Sequence, residues 1–208
     1  MYEIINRIME NQLYYKDSVV LKYKIQYPQI INGRNSYSEY RFNEYNYEKA
    51  NELREYCENE LYKEAKKLHD LNGYPIMQYE VYFDYHITYN RNNIISLYTD
   101  EYMYLGGAHG NTKREGQTWN MQNGRMIMLK EFFRNNPYYI IDILKQINSQ
   151  IEKQMETENG MYFENYCNLV QENLRLENFY ITEKGVVIFF NQYEIAPYSS
   201  GIPTFLIR

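Results

Sequence analysis

Residues 19–27 read VVLKYKIQY, in which hydrophobic or aromatic residues alternate with mostly polar ones. Successive side chains of a β-strand point to opposite faces, so a period of two with one polar face predicts a half-buried antiparallel strand. Lys16-Asp17-Ser18, just before this stretch, has the composition of a hairpin turn. Residues 3–30 are therefore predicted to form two long strands joined by that turn.

The same alternation returns further along the chain. It covers residues 77–89, and a turn at 90–93 leads into another strand at about 94–105. Asn123-Gly124, the strongest short hairpin signal, lies between predicted strands at 112–120 and 125–129. Near the end of the chain, strands are predicted at 178–182, 186–190 and 203–207.

A first helix is predicted at 46–71, with Asn46 as its N-cap. Its apolar positions recur every three or four residues and form one stripe. The stripe is Ala50, Leu53, Cys57, Leu61, Ala65 and Leu68. We expect it to face a strand stripe formed by Tyr79, Val81, Phe83 and Ile87.

Two further helices are predicted in the second half of the chain. One begins at Asn136-Pro137, where proline suits the first helical position. Its predicted stripe is Ile140, Leu144, Ile147, Ile151 and Met155. The other covers residues 161–174.

The order of these elements predicts an α+β fold. We expect two small layers of mostly antiparallel sheet, each packed against one or two helices. No strand-helix-strand alternation demands a parallel sheet. The natural seam lies near residue 106, so the predicted domains are 1–105 and 106–208.

Composition excludes several classes of protein. The chain has 208 residues, of which 26 are Tyr and only one is Trp, and aromatic richness argues against disorder. No run approaches the roughly 18 apolar residues of a membrane helix. The net charge of −5 disfavours nucleic acid as a partner, because binding to nucleic acid depends on Lys and Arg. A cationic partner is electrostatically easier, and a monomer is expected rather than an oligomer.

The N-terminus and the cysteines bear on the cellular compartment. Residues 1–6 have neither the basic nor the apolar region of a signal peptide, which predicts a cytoplasmic protein or one separated from its anchor. Cys57 and Cys167 are expected to be buried apolar residues, with one disulfide between them as the alternative in an oxidising compartment.

Catalytic and metal-binding motifs are missing from the sequence. It has no nucleophile elbow, phosphate-binding loop or zinc-protease motif, and its three His and two Cys form no ligand pattern. No cofactor is therefore expected. His109, between glycines, is the histidine most open to a role beside a carboxylate.

Two irregular segments carry the candidate site. The first, YLGGAHG at 104–110, contains three glycines, which allow positive φ and close backbone approach. The second, YEIAPYSSG at 193–201, combines aromatics with a stiff proline. Each is either a binding surface or a structural connection. The candidate binding residues are Tyr104, Gly106, Gly107, His109, Gly110, Tyr193, Pro197 and Tyr198.

These segments also carry a resemblance to a known family. Gly-Gly-Ala-His-Gly, the Asn123-Gly124 hairpin, the 178–182 strand and the Tyr-Glu-Ile-Ala-Pro-Tyr segment resemble the DUF3298 family. Residues 10–105 resemble the DUF4163 module that often precedes it. The resemblance implies an extracytoplasmic module of Gram-positive bacteria, as in RsiV-like anti-sigma factors, whose known member binds lysozyme. A DUF4163 module also precedes the catalytic domain of a peptidoglycan deacetylase. No membrane helix, sigma-binding segment or deacetylase domain is recognised in these 208 residues, so the chain is expected to be the module alone or a piece of a longer protein.

Three functions remain open from the sequence. The first is a cell-envelope sensor or binding module whose partner is a protein such as a lysozyme-like hydrolase, since lysozymes are typically basic. The second is a glycan-binding module, with Tyr82 and Tyr98 stacking on sugar rings, although cross-strand packing explains these residues equally. The third is a hydrolase that uses His109 with a carboxylate. A glycan binder should show an open groove lined by Tyr, and an enzyme a pocket around His109.

Overall fold

The computed structural model describes residues 1–72, 78–157 and 161–208. Its strands are β1 (Glu3–Tyr15), β2 (Ser18–Ile31), β3 (Tyr79–Arg91), β4 (Ile94–Tyr104), β5 (Asn111–Asn120), β6 (Arg125–Met126), β7 (Phe179–Thr182), β8 (Gly185–Phe189) and β9 (Thr204–Ile207). Its helices are α1 (Ser36–Tyr56), α2 (Tyr62–Asn72), α3 (Tyr139–Glu156) and α4 (Tyr166–Asn173). A π-helical turn (Cys57–Leu61) joins α1 to α2, and short 3₁₀ turns cover Leu129–Phe132 and Tyr198–Ser200.

The first two strands form the predicted long hairpin. β1 and β2 pair antiparallel from Glu3 opposite Ile31 to Tyr15 opposite Ser18. The turn between them uses Lys16 at φ 48°, and Leu21, Tyr23 and Ile25 are buried, as the alternation in residues 19–27 predicts.

Six strands form one sheet in the order β1-β2-β3-β4-β5-β6, and β7-β8-β9 form a second. The α+β class with mostly antiparallel pairing is confirmed. One pair differs, because β2 and β3 run parallel, from Leu21 opposite Tyr79 to Ile25 opposite Phe83. Parallel neighbours need a long crossover connection. The helical segment from Ser36 to Asn72 supplies it, although the sequence pattern had not required a strand-helix-strand unit.

The first helix begins ten residues before the predicted start, so the prediction of residue 46 was wrong. Asn35 is the N-cap, and its side chain accepts a 3.2 Å hydrogen bond from the Ser38 amide. Asn46 lies inside the helix, buried, and donates to the Phe42 carbonyl at 2.8 Å. The buried face of α1 includes the polar residues Ser38 and Asn46, so the apolar spacing in the sequence did not indicate the first turns of this helix.

Contacts within the chain divide the protein into two compact units. The first comprises Met1–His86, Thr99–Lys113 and Met121–Arg125. The second comprises Ile87–Tyr98, Arg114–Asn120 and Met126–Arg208. The division of the chain into domains at residue 106 stays a prediction.

The core of the first unit is the predicted one. The helix stripe from Ala50 to Ala65 packs with Tyr79, Val81 and Phe83, and Leu61 is 1% exposed. Ile87 lies outside this cluster and is only half-buried. Met77, the first residue of the predicted strand stripe, lies outside the described residues.

The second unit packs α3 and α4 with the β7-β8-β9 sheet. Ile143, Ile147 and Ile151 are fully buried, whereas the predicted stripe residues Ile140 and Met155 are exposed. The prediction is therefore right for Ile147 and Ile151 and wrong for Ile140 and Met155, because the buried face passes through Ile143, one turn before Ile147. The helix also begins at Tyr139 rather than at the proline. α4 is also shorter than predicted and begins at Tyr166.

Both cysteines are free thiols. Cys57 is buried as expected, but Cys167 is exposed on α4, so its predicted burial was wrong. In the described ranges, no helix has the length and apolar character needed to cross a membrane.

Candidate functional site

The predicted site residues fall in different units. Residues 104–110 belong to the first unit and residues 193–201 to the second. The structure confirms that both segments depart from regular structure, apart from the end of β4 at Tyr104 and one 3₁₀ turn. Whether they act together stays a prediction.

The glycine loop is held in a tight conformation after β4. Gly106 and Gly107 have φ of 90° and 97°, values that residues other than glycine rarely adopt. The hydroxyl of Tyr104 donates to the Gly107 carbonyl at 2.9 Å and closes the loop. The structure thus gives Tyr104 a role in shaping the loop.

His109 and Gly110 complete this loop. His109 is exposed, and its Nδ1 donates to the neighbouring Gly110 carbonyl at 2.9 Å. Gly110 is buried, and a Cβ at that position would collide with the ring of Tyr102. Gly110 is therefore required for close packing, while His109 is the polar group that the loop displays.

The second segment is attached to the core by its middle. Ile195 and Ala196 are buried in the main cluster of the second unit. The Ile195 carbonyl accepts from the Phe163 amide at 3.2 Å, and the Glu194 carbonyl accepts from Asn173 Nδ2 at 3.0 Å. Residues on either side of this anchored centre are thereby held in place.

A polar frame fixes the start of the segment. Asn191 Oδ1 accepts from the Arg114 amide at 2.7 Å, and the Glu194 carboxylate accepts from the Asn191 amide at 2.6 Å. Burial raises the pKa of Glu194, and the hydrogen bond from Asn191 opposes that shift in part. The frame brackets Tyr193 from both sides in the sequence.

Tyr193 and Tyr198 form an aromatic pair within this segment. Tyr193 is 51% exposed, Tyr198 is half-buried, and their ring centroids lie 6.1 Å apart at an angle of 32°. Pro197, at φ −67°, precedes the 3₁₀ turn that carries Tyr198. The predicted anchors therefore lie together and partly exposed, which suits contact with a partner.

The rings of the two tyrosines predicted to stack on sugars, Tyr82 and Tyr98, pack against other side chains of the protein. The Arg114 guanidinium lies 3.7 Å from the centre of the Tyr98 ring, and Tyr180 packs 5.0 Å from it. Tyr82 packs against Tyr102, with centroids 6.0 Å apart. Side-chain packing, the competing interpretation, accounts for both residues.

A tyrosine-lined groove lies elsewhere in the first unit, where the sequence pattern missed it. It has a volume of about 530 Å³ between the end of β2 and the first turns of α1, and its aromatic residues are Tyr27, Tyr40 and Tyr47. The missed signal was Tyr40, Asn43, Glu44 and Tyr47, whose spacing of three and four residues puts them on one helix face only once the helix is extended back to Ser36.

The described residues contain no group of three or more His, Cys, Asp or Glu side chains arranged to hold a metal ion. Burial raises the pKa of the Cys57 thiol to about 12, with Glu101 and Glu58 adding to the shift. Cys57 is therefore a packing residue rather than a nucleophile, since nucleophilic cysteines have depressed pKa values.

Comparison with known proteins links the two halves of the chain to two family models. Residues 15–112 match the model described as "Deacetylase PdaC", and residues 130–208 match "Protein of unknown function (DUF3298)". The Gly-Gly-Ala-His-Gly motif, attributed from the sequence to DUF3298, falls within the PdaC match. The predicted resemblance to DUF3298 is confirmed, while the DUF4163 and RsiV-like resemblances stay predictions.

A curated protein is also similar in sequence to this chain. The peptidoglycan-N-acetylmuramic acid deacetylase PdaC of Bacillus subtilis is 19% identical over 147 residues, which is 69% of this chain. The chain spans 31% of the length of that relative.

Two solved structures share the fold. A DUF3298 family member from Bacteroides fragilis superposes with a TM-score of 0.73 at 16% identity, covering 99% of this chain and 90% of that one. A DUF3298 family protein from Pseudomonas aeruginosa gives 0.66 at 12% identity, covering 100% and 90%. The first half of the chain is thus similar to the PdaC model and the second half to the DUF3298 model, in a fold already seen in DUF3298 proteins.

Proposed function

We propose that this chain is an extracytoplasmic binding module of the cell envelope, and that it binds a protein such as a lysozyme-like hydrolase. The partner would dock on Tyr193, Pro197 and Tyr198, which we call the Tyr193–Tyr198 surface. The envelope assignment is supported by the similarity to a protein named for its action on peptidoglycan. The 19% identity over a minor part of that enzyme supports no transfer of deacetylase activity.

The backbone of Tyr193 carries the proposal. Of the non-glycine residues with positive φ in the described ranges, Lys16, Asn32, Asn92 and Asn93 lie in turns or at strand ends, and Tyr193, at φ 67°, is the one aromatic. A bulky residue in this region is a genuine outlier and costs about 1–3 kcal/mol. Such strain persists only where the surroundings over-determine it, and it clusters at ligand-binding sites.

The surroundings of Tyr193 supply that constraint. Asn191 is fixed by the Arg114 backbone on one side, and Ile195 is buried in the core on the other. Tyr193 therefore has little freedom to relax, and its ring is presented with small further loss of entropy on binding. Rigid tyrosines contribute contact area at low entropic cost and are enriched among residues that dominate binding energy.

Charge favours a basic protein as the partner. The net charge of −5 would accelerate encounter with a basic hydrolase, because complementary charge mainly raises the association rate. An acidic partner would meet repulsion. The proposal therefore includes a salt dependence, with slower association at higher ionic strength.

A pulldown with two baits tests the proposal in its simplest form. The purified chain is incubated with immobilised hen lysozyme and, separately, with purified insoluble peptidoglycan. Retention on lysozyme that decreases with salt is the expected result. Retention on neither bait, or on peptidoglycan alone, contradicts a protein partner of this class.

A further inference from the structure

The groove of the first unit has the dimensions of a ligand site. Its volume of about 530 Å³ lies within the roughly 300–1,000 Å³ of small-molecule sites. One wall comes from β2, through Tyr27 and Gln29, and the other from α1. It belongs to the first unit, whereas the Tyr193–Tyr198 surface belongs to the second, and an inference about it goes beyond the proposed function.

The walls of the groove are tied together before any ligand arrives. Asn43 on α1 accepts from the Ile30 amide at 2.7 Å and donates to the Ile30 carbonyl at 2.9 Å. Ile30 is itself fully buried. These two hydrogen bonds to one residue of β2 fix the helix against the strand, so the groove is preformed.

Aromatic rings supply the apolar part of the lining. Tyr40 is 56% exposed and Tyr47 is 49% exposed, although both line a concave site. Tyr27 packs edge-on to Tyr47, with ring centroids 6.2 Å apart at 63°. The negative face of an aromatic ring attracts positively polarised C–H groups, which sugar rings present on one face.

Hydrogen-bonding groups stand between these rings. Glu44 accepts from the Tyr40 hydroxyl, and Glu39 accepts from the Gly33 amide at 2.6 Å. An ionised carboxylate offers about four lone-pair sites, so each retains capacity for further donors. Gln29, whose amide oxygen accepts from Arg7, adds an amide NH₂ group to the lining.

The charge of the lining selects among ligands. Its ionisable carboxylates are Glu39 and Glu44, and no Lys or Arg is among the described residues that line it. Hydroxyl groups are suitable donors to these carboxylates, whereas an acidic ligand would meet like charge. Aromatic faces, acceptors and an open shape together match an uncharged sugar chain.

We infer that this groove binds a neutral oligosaccharide, with Tyr40 and Tyr47 stacking on sugar rings and Glu39 and Glu44 accepting hydrogen bonds from sugar hydroxyls. The tyrosines supply most of the affinity, and the carboxylates supply the discrimination against acidic sugars.

The test is a calorimetric titration of the whole chain with three probes: the tetramer of N-acetylglucosamine, cellotetraose and tetragalacturonic acid. Saturable binding of at least one neutral probe, with a Kd below about 1 mM, is expected, and weaker or no binding of the acidic probe. No saturable binding of either neutral probe overturns the inference, as does preference for the acidic one.

Variants locate the site. Y40A/Y47A should lower the affinity for the neutral probe by at least about tenfold, because two ring contacts are lost. Y40F/Y47F keeps the rings and should retain binding, and Tyr56→Ala, an exposed tyrosine on the same helix that does not line the groove, should leave it unchanged. Binding that survives Y40A/Y47A overturns the assignment to this groove.

The two proposals fail independently. Y40A/Y47A should leave retention on lysozyme unchanged, because the Tyr193–Tyr198 surface is intact. Loss of sugar binding together with normal lysozyme binding supports the groove. Loss of both in Y40A/Y47A, with an unchanged thermal melt, contradicts separate sites.

Discussion

Tyr193 and Tyr198 hold their rings 6.1 Å apart while the backbone of Tyr193 stands at φ 67°. The ring contact and the backbone strain act in opposite directions on folding. Ring packing contributes about 0.5–1.5 kcal/mol to an aromatic pair, and the strained backbone costs a similar amount or more. The pair is therefore maintained with little net gain in stability, as expected of a displayed surface.

The strain at Tyr193 can be separated from its side chain. Both Tyr193→Ala and Tyr193→Gly remove the ring, but only glycine adopts positive φ without steric cost. Tyr193→Gly should therefore be more stable than Tyr193→Ala by about 1 kcal/mol, measured by urea unfolding. Equal stability of the two variants, or a more stable alanine variant, would show that the backbone is not strained there.

Burial of Leu61 predicts a large loss of stability on truncation. Leu61 is 1% exposed within the helix stripe of the first unit, so Leu61→Ala should cost about 2–5 kcal/mol. Leu71 on α2 is 79% exposed, and Leu71→Ala should change stability by no more than about 0.5 kcal/mol. Denaturant unfolding of both variants checks the contrast, and similar small losses would contradict the packing of this helix.

The two cysteines should react at very different rates. Cys167 is exposed, while Cys57 is buried and its thiol pKa is raised to about 12. One thiol per chain should react with Ellman's reagent in buffer at pH 8, and two in denaturant, because the thiolate is the reactive form. C167S should show almost no reaction until it is unfolded. Rapid native labelling of that variant would contradict the burial of Cys57.

The raised pKa of Glu194 predicts that replacing it with an uncharged residue changes stability in a pH-dependent way. Its folded-state pKa lies above the ordinary value of 4.5, chiefly because of burial, so the folded state binds the proton more tightly than the unfolded chain. The resulting stabilisation is present below pH 4.5 and is lost as pH rises through the folded-state pKa.

Glu194→Gln lacks this titration. Its melting temperature should therefore rise relative to the wild-type chain between pH 4 and pH 7. A Glu194→Gln difference that stays constant or falls over this range would contradict the raised pKa.

Most of the fold follows from patterns that are local in sequence. The structure confirms the β1–β2 hairpin, the C-terminal strands and the helix stripe from Ala50 to Leu61. These were predictable because the spacing of apolar residues in the sequence shows which face of a strand or helix is buried. The start of α1 was missed because its stripe continues through Ser38 and Asn46, which are polar yet buried.

Non-local features were harder to predict. The parallel pairing of β2 with β3 depends on where the intervening helices return the chain, and no residue pattern records it. The groove lies between the end of β2 and the misplaced start of α1, so Tyr40 and Tyr47 were missed with it. The Tyr193–Tyr198 segment was identified from its composition. The positive φ of Tyr193 could not be predicted, because positive φ is normally expected at glycine and this position is a tyrosine.

The most direct test of the proposed function is a calorimetric titration of hen lysozyme into three proteins: the wild-type chain, P197A/Y198A and Tyr193→Gly. A thermal melt accompanies each, and Tyr138→Ala, an exposed tyrosine of the same unit outside this segment, is the control. We predict wild-type binding, a loss of at least about thirtyfold in P197A/Y198A and in Tyr193→Gly with near-normal melts, and no change in Tyr138→Ala. Binding unchanged in both surface variants, or absent from the wild-type chain, would contradict the account.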